Sequence, residues 1–255
     1  MLAIITRIRY PALYERMKES AINNSSLPLE FLSEVDEIGQ PEVAKTYNRM
    51  GARAKSDYLV FVHDDVVFLE QGWDSKLIEV FEGTDADIVG VVGTDKYTGG
   101  TLFRSGFPHT KGKYVTLDDK GEKIVKVSSP ALNGPVVAVD HFFMAVRSKF
   151  FDANKFDEQF DGLFFSDIDY CLRSKRVYLA DILLGHYKPL ELRGKYPEGM
   201  KSLHDFSDKF HAKHYLEASG EYGDQRVASA DMNTYLSLGQ DEIFKRFEGK
   251  IICGN

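Results

Sequence analysis

The sequence predicts an α/β fold: a mostly parallel central sheet flanked by helices, followed by a C-terminal loop and helix extension. Three observations carry this expectation. Over residues 1–95, apolar runs of strand length alternate with stretches of helical period, the pattern of a sheet covered on both faces. The run Tyr58-Leu59-Val60-Phe61-Val62 is apolar at every position, as a strand buried on both sides must be. Beyond Gly93 the alternation gives way to shorter strands and loops, and from Glu191 onward to loop and helix rich in Lys, His and Tyr.

The elements follow in order. Residues 2–8 read as the first strand and residues 11–21 as a helix, with Pro11 near its start. Residues 27–35 contain a short second strand. Residues 41–55 form a helix with Val43, Tyr47, Met50 and Ala54 on one face. Residues 57–62 are the buried strand, and Trp73, Leu77, Ile78 and Phe81 mark another amphipathic helix. Residues 88–92 are a strand that runs into a glycine-rich loop, residues 93–100. A hairpin is expected over residues 113–127, turning at Asp118-Asp119-Lys120-Gly121. Residues 136–146 read as one buried strand, residues 164–172 run into a short helix, and residues 177–184 form a strand ending at Gly185-His186. Residues 1–190 are expected to form the main domain, with residues 191–255 packed on it as a helical extension or lid.

Bulk properties narrow the function. The chain has 255 residues, enough for a full core, and its 43% hydrophobic and 28% charged residues are ordinary for a globular protein. A formal net charge of -7 and a pI near 5.6 argue against a nucleic-acid binder, which needs a basic excess. The two cysteines, Cys171 and Cys253, form no CxxC pair, so a zinc ribbon or disulfide framework is not expected. The N-terminus lacks a basic leader and a cleavage site, and no run approaches the ~18 apolar residues of a membrane span. A cytoplasmic protein with at most peripheral membrane contact is expected. No GxGxxG, GxxxxGK[ST] or GxSxG occurs, which removes the main support for dinucleotide, P-loop and α/β-hydrolase readings.

The chemistry concentrates in three segments. His63-Asp64-Asp65 directly follows the buried strand, at the end where ligands gather in α/β sheets. Two adjacent carboxylates there repel each other and lose hydration, and a divalent cation relieves both costs. Carboxylate oxygens with an optional imidazole suit Mg²⁺ or Mn²⁺; the bland alternative is an acidic loop. The second segment, Phe164 to Arg173, carries Asp167 and Asp169 at a loop-to-helix junction, where carboxylates either cap the helix or serve as a general base. Asp167, one step earlier, is the better candidate to face a cleft. The third is Leu183-Leu184-Gly185-His186, whose imidazole at a strand end can complete a metal site begun by Asp65. His204, His211 and His214 read as surface or acceptor-side residues of a solvated helix.

Together these segments resemble the GT-A glycosyltransferases, in particular the family 2-like and StrF-like group. Residues 47–66 are similar to that group's helix, strand and metal motif, with His63-Asp64-Asp65 as an H-x-D variant of D-x-D. Residues 139–147 resemble its acceptor-side strand. Phe156-Asp157-Glu158 through Asp167-Ile168-Asp169 and Arg173 resemble its FDE…D-x-D…R segment, with Ser166 replacing the usual Glu. The resemblance covers about residues 1–190. It implies a Rossmann-like GT-A fold and sugar transfer from a UDP-, GDP- or dTDP-sugar to a glycan, lipid-linked saccharide or small hydroxylated acceptor. It implies Asp65 and His186 as ligands of Mn²⁺ or Mg²⁺, and Asp167 as the base of an inverting displacement. It implies Thr6, Arg7, Asn48, His63 and Asp64 on the donor side, with Thr6 and Arg7 just after the first strand. The rivals are a sugar-phosphate nucleotidyltransferase, which would carry glycines in the loop after strand one, and a non-catalytic glycan- or nucleotide-binding module.

Overall fold

The structure, a computed structural model, describes residues 1–36, 42–97, 109–117, 123–127, 133–160, 165–187 and 213–214. The chain begins with β1 (Leu2–Ile8), α1 (Pro11–Asn23), β2 (Leu29–Val35), α2 (Val43–Gly51) and β3 (Tyr58–Val62). Next come β4 (Val66–Phe68), α3 (Trp73–Gly83), β5 (Ile88–Gly90), β6 (Val92–Thr94), β7 (Thr110–Gly112), β8 (Tyr114–Leu117) and β9 (Lys123–Val127). Then follow β10 (Gly134–Val136), β11 (Ala138–Val139), β12 (Phe143–Arg147), α4 (Ser148–Ala153), α5 (Ser166–Ser174), β13 (Val177–Leu179) and β14 (Leu184–Tyr187).

A seven-stranded sheet with the order β10-β13-β5-β12-β3-β1-β2 forms the centre. β1 runs parallel to β2 and β3, and β13 runs parallel to β5. β12 is antiparallel to both β3 and β5, so those two point the same way. β10 is the other reversed strand. The sheet is therefore mostly parallel, as the alternation over residues 1–95 predicts. β3 is buried along its whole length, and Trp73, Phe61, Phe68 and Phe143 are among the largest fully buried side chains. The predicted apolar face of α2 is the buried one: Val43, Tyr47 and Met50 all face the core.

Three predicted strands are broken in the structure. Residues 88–92 divide at Val91 into β5, in the central sheet, and the start of β6, in a three-stranded sheet with β7 and β11. Close backbone approach makes this crossing possible. A Cβ on Gly90 would lie 2.5 Å from the Val139 side chain, and one on Gly93 would lie 2.5 Å from the Ala138 carbonyl oxygen. Residues 177–184 divide between β13 and the start of β14, which belongs to a four-stranded sheet β4-β14-β8-β9. Residues 136–146 divide into the end of β10, β11 and most of β12, with a turn at Asp140-His141-Phe142. The hairpin is present, with Tyr114 opposite Val127; residues 118–122 at its turn lie outside the described residues. So does the predicted extension, residues 191–255, apart from Lys213 and His214.

The topology brings three chain segments to one place. Val62, the last residue of β3, pairs with Phe143, the first of β12, so His63 lies beside the 140–142 turn. His63 N–H donates to the Phe142 carbonyl at 3.1 Å. β14 pairs with β4 so that His186 lies opposite Val66, and Tyr187 N–H donates to the Asp65 carbonyl at 2.7 Å.

Candidate active site

Asp65 stands between two imidazoles. Its Oδ1 lies 3.2 Å from His186 Nε2 and 3.8 Å from His63 Nδ1. One donor atom from each of His63, Asp65 and His186 fits within a 4.8 Å cluster, the spread of a metal-ligand set. Burial, reinforced by the nearby charge of His141, holds the His63 pKa well below its ordinary value, although Asp65 opposes the shift. A neutral imidazole keeps the lone pair that a metal needs. The His186 ring is stacked on Phe142 at 5.1 Å with an interplanar angle of 8°, which fixes its plane.

Asp64 points elsewhere. Its Oδ2 accepts from the backbone N–H groups of Arg9 and Tyr10 at 2.7 and 2.6 Å. It therefore ties the turn between β1 and α1 to the end of β3. Burial, with the adjacent Asp65 charge, raises its pKa to about 6 against the pull of those two amides.

Asp167 occupies the first turn of α5 and is buried. Its Oδ1 accepts from the Ile168 N–H at 2.8 Å, and its Oδ2 meets His141 Nδ1 at 3.0 Å. Burial alone would lower the His141 pKa; the charge and hydrogen bond of Asp167 outweigh it and raise the value. The His141 ring also packs edge-on against His63 at 4.6 Å. His141 thus bridges the two halves of the site. His141 lies in an otherwise apolar run, and the polar pair Asp140-His141 interrupting that run is its signal in the sequence. Asp140, His141 and Asp167 form a second group with donor atoms within 4.8 Å of one another.

Other predicted residues take different positions. Asn48 spends both ends of its amide on protein: Nδ2 donates to the Phe156 carbonyl at 3.0 Å and to Glu158 Oε1 at 3.1 Å, and Oδ1 accepts from Phe156 N–H at 2.9 Å. It clamps α2 to the Phe156-Asp157-Glu158 segment. Thr6 and Arg7 lie inside β1, not after it, and Arg7 is ion-paired with Asp36. The Arg7 charge still reaches the site, opposing protonation of both His63 and His141. Asp169 is fully buried and accepts from Arg173 Nε at 2.9 Å, Lys213 Nζ at 2.6 Å and His214 Nε2 at 2.8 Å. His214, expected as a surface or acceptor-side residue of a solvated helix, is buried in this cluster. No local sequence signal pairs it with Asp169, 45 residues away.

The model of a "Glycosyltransferase like family" matches residues 3–186, which include every strand and helix that builds the site. The chain belongs to that family. No curated protein sequence matches this glycosyltransferase-like chain. Among solved structures, GalNAc-T7, crystallised with UDP, GalNAc and Mn²⁺, superposes with a TM-score of 0.55 at 11% identity. The match covers 89% of this chain and 52% of GalNAc-T7, so the chain spans about half of that protein's length. The likeness identifies the fold as GT-A. Staphylococcus aureus TarS 1–349 in complex with UDP gives a TM-score of 0.47 at 12% identity, covering 86% of this chain and 73% of TarS. Among the described residues, no helix of the glycosyltransferase-like chain is long and apolar enough to cross a membrane.

Proposed function

We propose that the chain transfers a sugar from a nucleotide-sugar donor to a hydroxylated acceptor, with inversion at the anomeric carbon. One observation carries this reading: the His63, Asp65 and His186 cluster lies directly beside the Asp167–His141 pair, at the carboxyl end of β3 in a glycosyltransferase-like chain. Transfer needs both halves, one to accommodate the leaving diphosphate and one to take a proton from the attacking hydroxyl.

The residues fit a divalent cation. Two imidazoles and one carboxylate are a borderline donor set, better matched to Mn²⁺ than to Mg²⁺, which prefers oxygen ligands. His63, Asp65 and His186 would hold it, and a bound cation supplies charge neutralisation for the departing diphosphate. That GalNAc-T7 was crystallised with UDP and Mn²⁺ supports the choice.

The chain's own residues do the rest. Asp167 accepts the acceptor hydroxyl proton as that oxygen forms its bond to the anomeric carbon. The bond to the diphosphate breaks on the opposite face, and its electron pair leaves with the diphosphate. Asp64 holds the turn after β1, and Thr6 and Arg7 form the nucleotide side with Asp36. Residues 191–255 complete the acceptor side, a placement supported by the attachment of Lys213 and His214 to α5, close to Asp167. The acceptor is a glycan, a lipid-linked saccharide or a small hydroxylated molecule.

The test is incubation with a panel of UDP-, GDP- and dTDP-sugars, with and without Mn²⁺, following nucleoside diphosphate release. Metal-stimulated release from at least one donor is expected. Pyrophosphate release from a sugar 1-phosphate and a nucleoside triphosphate, with every nucleotide sugar left intact, would replace this reading with nucleotidyl transfer.

A further inference from the structure

We propose that His141 is a positioning residue for sugar transfer, holding Asp167 through its Nδ1–H at a set distance from the metal-side histidines. The inference deepens the transferase reading above and rests on it.

The geometry comes from one tripeptide. Asp140 Oδ1 accepts from Phe142 N–H at 2.9 Å, which closes the turn between β11 and β12. The Phe142 carbonyl receives His63 N–H at 3.1 Å, and the Phe142 ring lies flat on His186 at 5.1 Å. Between these contacts, His141 presses edge-on against His63 at 4.6 Å and reaches Asp167 Oδ2 with Nδ1 at 3.0 Å. Among the described residues, His141 provides the side-chain hydrogen bond to Asp167; the others come from backbone N–H groups of His141 and Ile168.

Chemistry assigns the direction of that bond. An ionised carboxylate only accepts, so His141 Nδ1 carries the hydrogen. The donated bond restrains the carboxylate about its terminal torsion, which is otherwise broad. Burial of both groups leaves little water to replace it: the side chains are 13% and 9% exposed. The turn itself does not depend on the imidazole, because the Asp140–Phe142 bond and the backbone bond from His141 to Asp167 (3.4 Å) remain without it. Losing the imidazole therefore loosens the Asp167 carboxylate, which keeps only the backbone bonds from His141 and Ile168, without dismantling the loop.

The test uses the geometry of amide side chains. The Asn amide nitrogen is attached to Cγ, as Nδ1 is in His, whereas Gln carries its nitrogen one bond further out. His141→Ala, His141→Asn and His141→Gln are compared with the unaltered chain for nucleoside diphosphate release from UDP-, GDP- and dTDP-glucose with Mn²⁺, water being the acceptor. His141→Ala is expected to lower kcat about 100-fold with donor KM nearly unchanged. His141→Asn should recover most of the loss and His141→Gln should not. A merely structural role would move melting temperature and kcat together and make no distinction between Asn and Gln. Wild-type kcat in His141→Ala, or Asn no better than Gln at equal melting temperature, overturns the inference; if the Ala variant does not fold, the Asn–Gln comparison decides. An unaltered chain that turns over no donor overturns the transferase reading itself, and this inference with it.

Discussion

Asp65, Asp64 and Asp167 are three buried or half-buried carboxylates with three different partners, and each makes a separate prediction. Asp65 faces His63 and His186, so Asp65→Ala should abolish any rise in melting temperature caused by Mn²⁺, read by differential scanning fluorimetry. Asp64 holds two backbone N–H groups, and Asp64→Ala leaves both without that acceptor. The expected loss is about 1–2 kcal/mol of unfolding free energy by urea titration, since unmet part-buried donors carry a desolvation cost. Asp167→Asn keeps the shape but removes the base, and should reduce nucleoside diphosphate release by about 100-fold or more while nucleotide affinity is preserved. At this scale the proximity of Asp65 and His186 was legible in the sequence because each polar group ends an apolar run. The bonds of Asp64 to the Arg9–Tyr10 turn were not, because adjacent residues after a strand point to opposite sides and Tyr10 lies 54 residues away.

The elements bring these side chains together through breaks in regular structure. β3 was readable from its uninterrupted apolar run, and α2 from its three- and four-residue spacing. The 136–146 region was not, since an apolar composition fits one long strand or several short ones equally well. What divides it is tertiary: β11 leaves the central sheet to pair with β6, and Asp140 turns the chain back into β12. That turn presents His141, so the least legible element contributes the bridge of the site. Asn48 belongs to the same scale. Its amide fastens α2 to Phe156 and Glu158. Asn48→Ala should cost about 1–3 kcal/mol in a denaturant titration, because the Phe156 N–H then lacks its acceptor. A variant with unchanged stability but weakened donor binding would instead return Asn48 to the nucleotide side.

The whole molecule ties its downstream chain to the site through Asp169. Burial alone would raise that carboxyl's pKa; the hydrogen bond from His214 and the charges of Arg173 and Lys213 outweigh it and hold it below the ordinary range. A depressed carboxyl stabilises the fold above its unfolded pKa, near 4, and that contribution disappears as pH falls through the lower folded value. The melting temperature should therefore drop more steeply on acidification below about pH 5 in the unaltered chain than in Asp169→Asn. The same variant leaves Lys213 and His214 without their shared partner, and breaking a buried ionic cluster of this kind costs about 3–5 kcal/mol. The central claim, metal-assisted sugar transfer, concerns the same first turn of α5, where Asp167 lies two residues before Asp169. Its most direct measurement is isothermal titration of UDP into the unaltered chain and into Asp65→Ala, each with and without Mn²⁺, extended to GDP and dTDP. The account predicts that at least one nucleotide binds the unaltered chain far more tightly with Mn²⁺ and that Asp65→Ala loses this difference. Nucleotide binding indifferent to Mn²⁺, or an Asp65→Ala variant that keeps the full metal effect, would contradict it.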